Sequence, residues 1–190
     1  MTNLIIFGPP GSGKGTQSKK IAHKYDLFHI STGDIFRKEI KNKTKLGLKV
    51  KSIIDEGKLV PDDLVMKVLE KAFDSCKKSK GAVFDGFPRT NQQARELDKL
   101  LSSKNQKINI VISLEVSEDE LLKRLVNRSK EMDRTDDTVE IIQNRLKVYR
   151  DQTQPLIEYY KEKGLFKAIN GIGEVDEIFE RICREIEKVI

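Results

Sequence analysis

Apolar residues fall along this chain in two rhythms. Short, mostly apolar runs recur at 4–7, 28–30, 82–84, 108–114 and 165–169, beginning with Leu4-Ile5-Ile6-Phe7. Runs of that length without polar alternation suit strands buried on both faces, as in a parallel sheet. Between them the spacing changes to three and four. Pro61 followed by Asp62 and Asp63 predicts a helix start, and Leu64, Val65, Val68, Leu69 and Ala72 then mark one face. Ser117 with Glu120 makes a capping-box pattern ahead of Leu121, Leu122 and Leu125. Val175, Ile178, Phe179, Ile182, Ile186 and Val189 predict one apolar face over 174–190. Strands alternating with amphipathic helices predict an α/β fold of three layers, a five-stranded parallel sheet with helices on both faces.

Two stretches break this alternation. Residues 31–60 read as a helical, lysine-rich insert between the second and third strands, and 127–137 as a polar stretch without periodicity between two helices. The expected organisation is one domain over 1–190, with a core of 1–30, 61–126 and 138–190 interrupted by these two inserts.

The turn after the first strand carries the most chemistry. Gly8-Pro9-Pro10-Gly11-Ser12-Gly13-Lys14-Gly15-Thr16 fits the phosphate-cradling pattern G-x-x-x-x-G-K-[ST] except that Gly15 precedes Thr16. Glycines let backbone N–H groups close around phosphate oxygens, and the helix that follows adds its positive N-terminal end. Lys14 can reach the outer phosphates, and a neighbouring hydroxyl can face magnesium. A glycine-rich turn could be only a turn, but strand, loop, lysine, hydroxyl and helix agree on a nucleoside triphosphate.

Composition narrows the alternatives. With 37% hydrophobic and 35% charged residues over 190 positions, the chain reads as one globular domain. No apolar run approaches the roughly twenty residues of a membrane helix, and the first residues lead straight into a strand, so neither membrane nor secretion signal is expected and a cytoplasmic location follows. Cys76 and Cys183 lack metal-ligand spacing. The net charge of +6 admits a nucleic-acid reading. Its lysines are nevertheless dispersed, with no aromatic-interleaved stripe for stacking single strands.

The run at 82–84 ends in Asp85-Gly86-Phe87-Pro88-Arg89. Asp85 therefore lies at the carboxyl edge of the predicted sheet, where ligands of open α/β folds bind. A carboxylate there can hold magnesium, directly or through its water, or can simply cap a turn beside Gly86 and Pro88. Arg37, Arg89, Arg124, Arg128, Arg134 and Arg145 lie near the ends of the two inserts. Guanidinium groups grip phosphate bidentately and stay charged. Six of them in a chain with a triphosphate loop point to phosphoryl transfer.

The segments GPPGSGKGTQ (8–17), STGDIFR (31–37), GKLVPDD (57–63), DGFPRTNQQA (85–94), DRTDD (133–137) and NRLKVYRDQTQPLIEYY (144–160) resemble the nucleoside monophosphate kinases, specifically the adenylate kinase family in its short-lid form. The likeness runs from about residue 4 to 175. It implies reversible transfer of the γ-phosphoryl group of Mg-ATP to AMP, giving two ADP, by a monomer with an AMP-binding insert at 31–60 and a lid at 127–137. Gly11, Ser12, Gly13, Lys14, Gly15 and Thr16 would hold the ATP phosphates, with Arg124 and Arg128 on the phosphates and the adenine side, and Gly173 against the adenine through its backbone. Thr32 and Arg37 would hold AMP, and Lys58, Leu59 and Val60 would line its base pocket. Gly86, Phe87, Pro88, Arg89 and Gln93 complete that site, Arg89 on the phosphate and Gln93 on the base edge. Arg134 and Arg145 would close over the reacting phosphates, and Asp85 would hold magnesium, through water.

The resemblance has departures. The polar stretch contains no Cys or His, so the structural zinc of longer lids is not expected. Asp133 stands before Arg134 where the family has glycine, placing an extra carboxylate near incoming phosphates. The related UMP/CMP kinases usually carry alanine at the Thr32 position and asparagine after the DGFPR arginine, so Thr32 and Thr90 favour AMP. A third reading, a P-loop switch or nucleic-acid-binding NTPase, leaves DGFPR and STGD unexplained.

Overall fold

A computed structural model describes residues 1–76, 79–132 and 138–190. The strands are β1 (Thr2–Phe7), β2 (Phe28–Ser31), β3 (Gly81–Asp85), β4 (Ile108–Glu115) and β5 (Phe166–Asn170). They form one sheet in the order β2-β3-β1-β4-β5, every pairing parallel. The helices are α1 (Lys14–Tyr25), α2 (Thr32–Lys41), α3 (Lys45–Asp55), α4 (Asp62–Asp74), α5 (Asn91–Ser103), α6 (Glu118–Met132), α7 (Val139–Val148), α8 (Leu156–Glu162) and α9 (Val175–Ile186). A π-turn over Tyr149–Thr153 leads from α7 towards α8.

Strand pleating divides β1 between two cores. Leu4 and Ile6 join Ile21 of α1 and Ile178, Ile182 and Ile186 of α9 on one face. Ile5 and Phe7 join Leu69, Phe73, Leu97, Leu101 and Tyr160 on the other. Burial on both faces explains why β1 reads as an unbroken apolar run at 4–7. A smaller cluster of Leu121, Leu125, Ile142 and Leu146 ties α6 to α7.

Several boundaries differ from the sequence expectation. The helix expected over 174–190 ends at Ile186, and Val175 and Val189 are exposed rather than part of its apolar face. Glu120, read as a capping-box residue, pairs with Arg124 one turn along, at 2.7 Å. α6 continues to Met132, so the first half of the stretch read as an aperiodic lid is helical. Its Asn127-Arg128-Ser129-Lys130-Glu131-Met132 sequence contains neither glycine nor proline to stop it. Residues 133–137, with Asp133 and Arg134, lie outside the described residues.

Candidate active site

The carboxyl ends of β1, β2 and β3 open into one cavity of about 420 Å³. Its first end is the loop between β1 and α1. Gly11, Gly13, Lys14, Gly15 and Thr16 line it, together with Arg124 and Arg128 from α6. Gly11 has φ +84, and a Cβ there would sit 2.8 Å from Leu125 Cγ. A bare glycine thus lets α6, which carries both arginines, pack directly on the loop. Ser12 does not face the cavity. Its side chain turns inward, 1% exposed, and its hydroxyl has no hydrogen-bond partner among the described residues.

Lys14 folds back over the loop, its Nζ donating to the carbonyls of Gly8 at 2.7 Å and Pro9 at 2.8 Å. Burial lowers its ammonium from 10.5 to about 7; Asp85 opposes the shift, while Arg89, Arg145 and Arg128 add to it. A pocket that crowds cations until the ammonium of one is weakened this far is a pocket shaped for anions. Arg124 is fixed from two sides, by Glu120 and by the carbonyl of Gly171 at 3.0 Å. The turn at 170–173 therefore meets the site through Gly171. Gly173, expected to touch adenine, is not part of the cavity wall. Its φ of +121 sets it against Glu177 on the outer side.

The other end is lined by the insert and the segment after β3. Thr32 Oγ1 donates to the Gly86 carbonyl at 3.0 Å, and Arg89 Nε donates to the same oxygen at 2.8 Å. One backbone carbonyl thereby aligns two side chains of the expected AMP site. Arg37 pairs with Asp34 one turn before it. Lys58, Leu59 and Val60 line the wall beside Phe36, Ile54 and Val65, but the Lys58 ammonium points away to Glu56, its side chain 63% exposed. Gly86 and Pro88 line the cavity, while Phe87 does not. Phe87 is fully buried in the core under β3, because an aromatic ring gains more from that packing than from a polar cleft.

Gln93, only 1% exposed, is held at both ends of its amide. Oε1 accepts from the Arg89 N–H at 2.7 Å, and Nε2 donates to Asp62 Oδ1 at 2.7 Å. Arg145 of α7 lines the cavity between the two ends. Gly57, with φ +71, leaves room for it, since a Cβ there would lie 3.0 Å from Arg145 Cγ. The insert also touches α7 where Asn144 Nδ2 donates to the Glu56 carbonyl.

Four contributors were not visible in the sequence. His29 Nε2 lies 3.3 Å from Asp85 Oδ2. Tyr149 and Thr153 of the π-turn line the cavity, and Thr153 Oγ1 donates to the Arg89 carbonyl at 3.1 Å. Asp62 read only as a helix start. A π-turn beside a site is a recurrent arrangement, but the run from Asn144 to Gln154 has no residue that would announce one. Asp85 closes β3, 7% exposed, with Oδ2 3.5 Å from where a Gly15 Cβ would lie. A buried carboxylate facing the loop, with Thr16 on the same wall, fits a hard cation held through its water shell.

A family model described as "Adenylate kinase" matches residues 6–165. An adenylate kinase of Bacteroides thetaiotaomicron is 51% identical over 189 residues, covering all of both chains. One from Bacteroides fragilis is 52% identical over 187 residues, covering 98% of this chain and 99% of the relative. One from Phocaeicola vulgatus is 49% identical over 189 residues, again covering all of both.

Proposed function

The chain belongs to the adenylate kinase family, and we propose that it moves the γ-phosphoryl group of Mg-ATP reversibly onto AMP, giving two ADP, by positioning and charge neutralisation alone. The observation that carries this reading is the single cavity with a glycine-lysine loop at one end, Thr32 and Arg89 at the other, and Arg145 between. Two polyanions laid along it would meet end to end.

No catalytic base is needed. The nucleophile is a phosphate oxygen of AMP, whose second pKa is about 6, so it is already deprotonated at neutral pH. The barrier lies in bringing like charges together and in the charge spread over the transferred group. At the donor end, loop N–H groups and Lys14 hold the triphosphate, Lys14 leaving the Gly8 and Pro9 carbonyls for phosphate. Arg124 and Arg128 take the donor's phosphates and adenine side. At the acceptor end Arg89 and Arg37 hold the AMP phosphate, Thr32 and the Lys58–Val60 wall receive the nucleoside, and Gln93 reads the base edge. Arg145, joined by Arg134, neutralises the group in flight. Asp85, through water, and Thr16 beside it would hold the magnesium of Mg-ATP, which would supply a divalent charge to neutralise the donor phosphates.

The insert over 31–60 and the stretch over 127–137 serve as acceptor-binding flap and lid, excluding water until both substrates are present. No zinc is assigned to that lid. The assembly is read as a cytoplasmic monomer acting on ATP, AMP and ADP, with no nucleic-acid partner. Among the described residues, no helix is long and apolar enough to cross a membrane.

The test is ADP formation from Mg-ATP with AMP, UMP, CMP or GMP supplied separately, beside a control without acceptor. Turnover with AMP alone is expected. Preference for UMP or CMP would overturn the acceptor assignment, and equal ADP without any acceptor would replace the kinase by a hydrolase.

A further inference from the structure

A glutamine that reads a purine edge has an ambiguity built into it. Its amide offers one donor group and one acceptor, and rotating the amide by half a turn exchanges them. Adenine presents a donor at its exocyclic N6 and an acceptor at N1. Hypoxanthine presents the reverse, an acceptor at O6 and a donor at N1. An amide free to rotate accommodates either base, whereas a fixed one accepts only the first or only the second.

Here the amide is fixed from two directions. The backbone N–H of Arg89 can only donate, and it faces Gln93 Oε1 at 2.7 Å. The carboxylate of Asp62 offers acceptors, and it faces Nε2 at 2.7 Å. Asp62 is itself aligned, since Thr90 Oγ1 donates to its second oxygen at 3.0 Å. Thr90 in turn accepts the Gln93 N–H at 3.2 Å, closing a ring of contacts at the N-terminus of α5. Reversing the amide would set NH₂ against N–H at one end and oxygen against carboxylate at the other, losing both bonds and adding two repulsions in a buried site.

Resting on the assignment of Gln93 as the reader of the acceptor base, we infer that Asp62 is a specificity-determining positioning residue. It acts through Gln93, holding the amide in the orientation that accepts from N6–H and donates to N1, and so selects 6-aminopurine over 6-oxopurine monophosphates. A tie that merely joined α4 to α5 would need one hydrogen bond to any part of Gln93. The observed arrangement instead places a pure acceptor on the amide nitrogen and a pure donor on the amide oxygen.

The experiment compares AMP and IMP as acceptors at saturating Mg-ATP, for the unaltered protein, Asp62→Asn and Gln93→Leu. Asparagine keeps the shape of Asp62 but can present a donor to a reversed amide. The expected result is a fall of about tenfold in the ratio of kcat/KM for AMP to that for IMP, with kcat for AMP less affected than KM. A purely structural role would lower both acceptors together and leave the ratio unchanged. A ratio within twofold of the unaltered protein, while Gln93→Leu raises the KM for AMP, overturns the role of Asp62 and leaves the base-edge assignment standing. An unchanged KM for AMP in Gln93→Leu overturns that assignment and this inference with it. Should Asp62→Asn fail to fold, Asp62→Ala replaces it: the amide is then held only by Arg89, and the ratio should fall by a smaller factor, an undiminished ratio again overturning the proposal.

Discussion

At the proposed donor end of the cavity, the wall comes largely from one contiguous run, Gly8 to Thr16, whose part in the proposed function is a phosphate cradle made mostly of backbone. At the acceptor end, the groups come from four separated parts of the chain, around Thr32, Asp62, Arg89 and Thr153. Side-chain hydrogen bonds hold them in place across 54 positions for Thr32 to Gly86 and 64 for Thr153 to Arg89. The ends also differ in electrical state. Lys14 is crowded by burial and by arginines until its ammonium weakens to about 7, whereas Arg89 is steadied by the Gly86 carbonyl. A backbone cradle tolerates any triphosphate and leaves the charge to a few side chains, Lys14, Arg124 and Arg128. A side-chain network can discriminate a base but depends on every member.

Substitutions can break this contrast at either end. The largest effect is expected from Lys14→Met, which removes the mobile charge at the donor end. Transfer should fall by about 10³-fold or more, with the thermal unfolding midpoint unchanged or raised, because a destabilised buried ammonium has been removed. Next is Arg89→Ala, expected to lower kcat/KM by about 10²-fold or more and to raise the KM for AMP. The KM for ATP should stay within about twofold, which steady-state kinetics with each substrate varied in turn will read.

A smaller effect sharpens the electrical difference. With a pKa near 7 in the free protein, Lys14 is largely neutral at pH 8.5. Triphosphate bound beside it favours the charged form and raises that pKa, so binding must take up a proton between pH 7 and the ordinary value of 10.5. Below pH 6 the lysine is already protonated and no uptake on its account is expected. Calorimetry of ATP binding at pH 8.5 in buffers of different ionisation enthalpy should show this uptake, and Lys14→Met should abolish it. The smallest expected effect is that of Thr153→Val, which removes a single hydrogen bond to the Arg89 carbonyl. It should raise the KM for AMP by about fivefold while leaving that for ATP unchanged, and Thr153→Ser should restore it.

The same contrast explains what could be read from the sequence. All five strands were legible as short apolar runs, most clearly β1 and β3, which are buried on both faces, and their parallel pairing followed from the helices between them. The donor loop was legible because its chemistry is contiguous. Asp85 and Arg89 could be placed because they follow directly from a strand end. The ties between distant residues could not be foreseen. Gln93 and Asp62 are 31 positions apart, and Asp62 beside Pro61 carries only the signal of a helix start. The π-turn at Tyr149–Thr153 has helix-compatible residues throughout. Phe87 was assigned to the site with its neighbours Gly86 and Pro88, yet packing sends its ring into the core. Gly173 lies outside the cavity wall, and in the same turn it is the Gly171 carbonyl that accepts from Arg124, a tie 47 positions long that no local pattern announces.

The central claim is that the two ends bring donor and acceptor phosphates together for one direct displacement, with no side chain as an intermediate carrier. The most direct measurement is the stereochemical course at phosphorus, using ATP made chiral at the γ position with sulfur and oxygen isotopes, and AMP as acceptor. A single in-line displacement inverts the configuration, and inversion is the result expected here. Retention would require two displacements through a phosphorylated residue, and would contradict a mechanism built on positioning and charge alone.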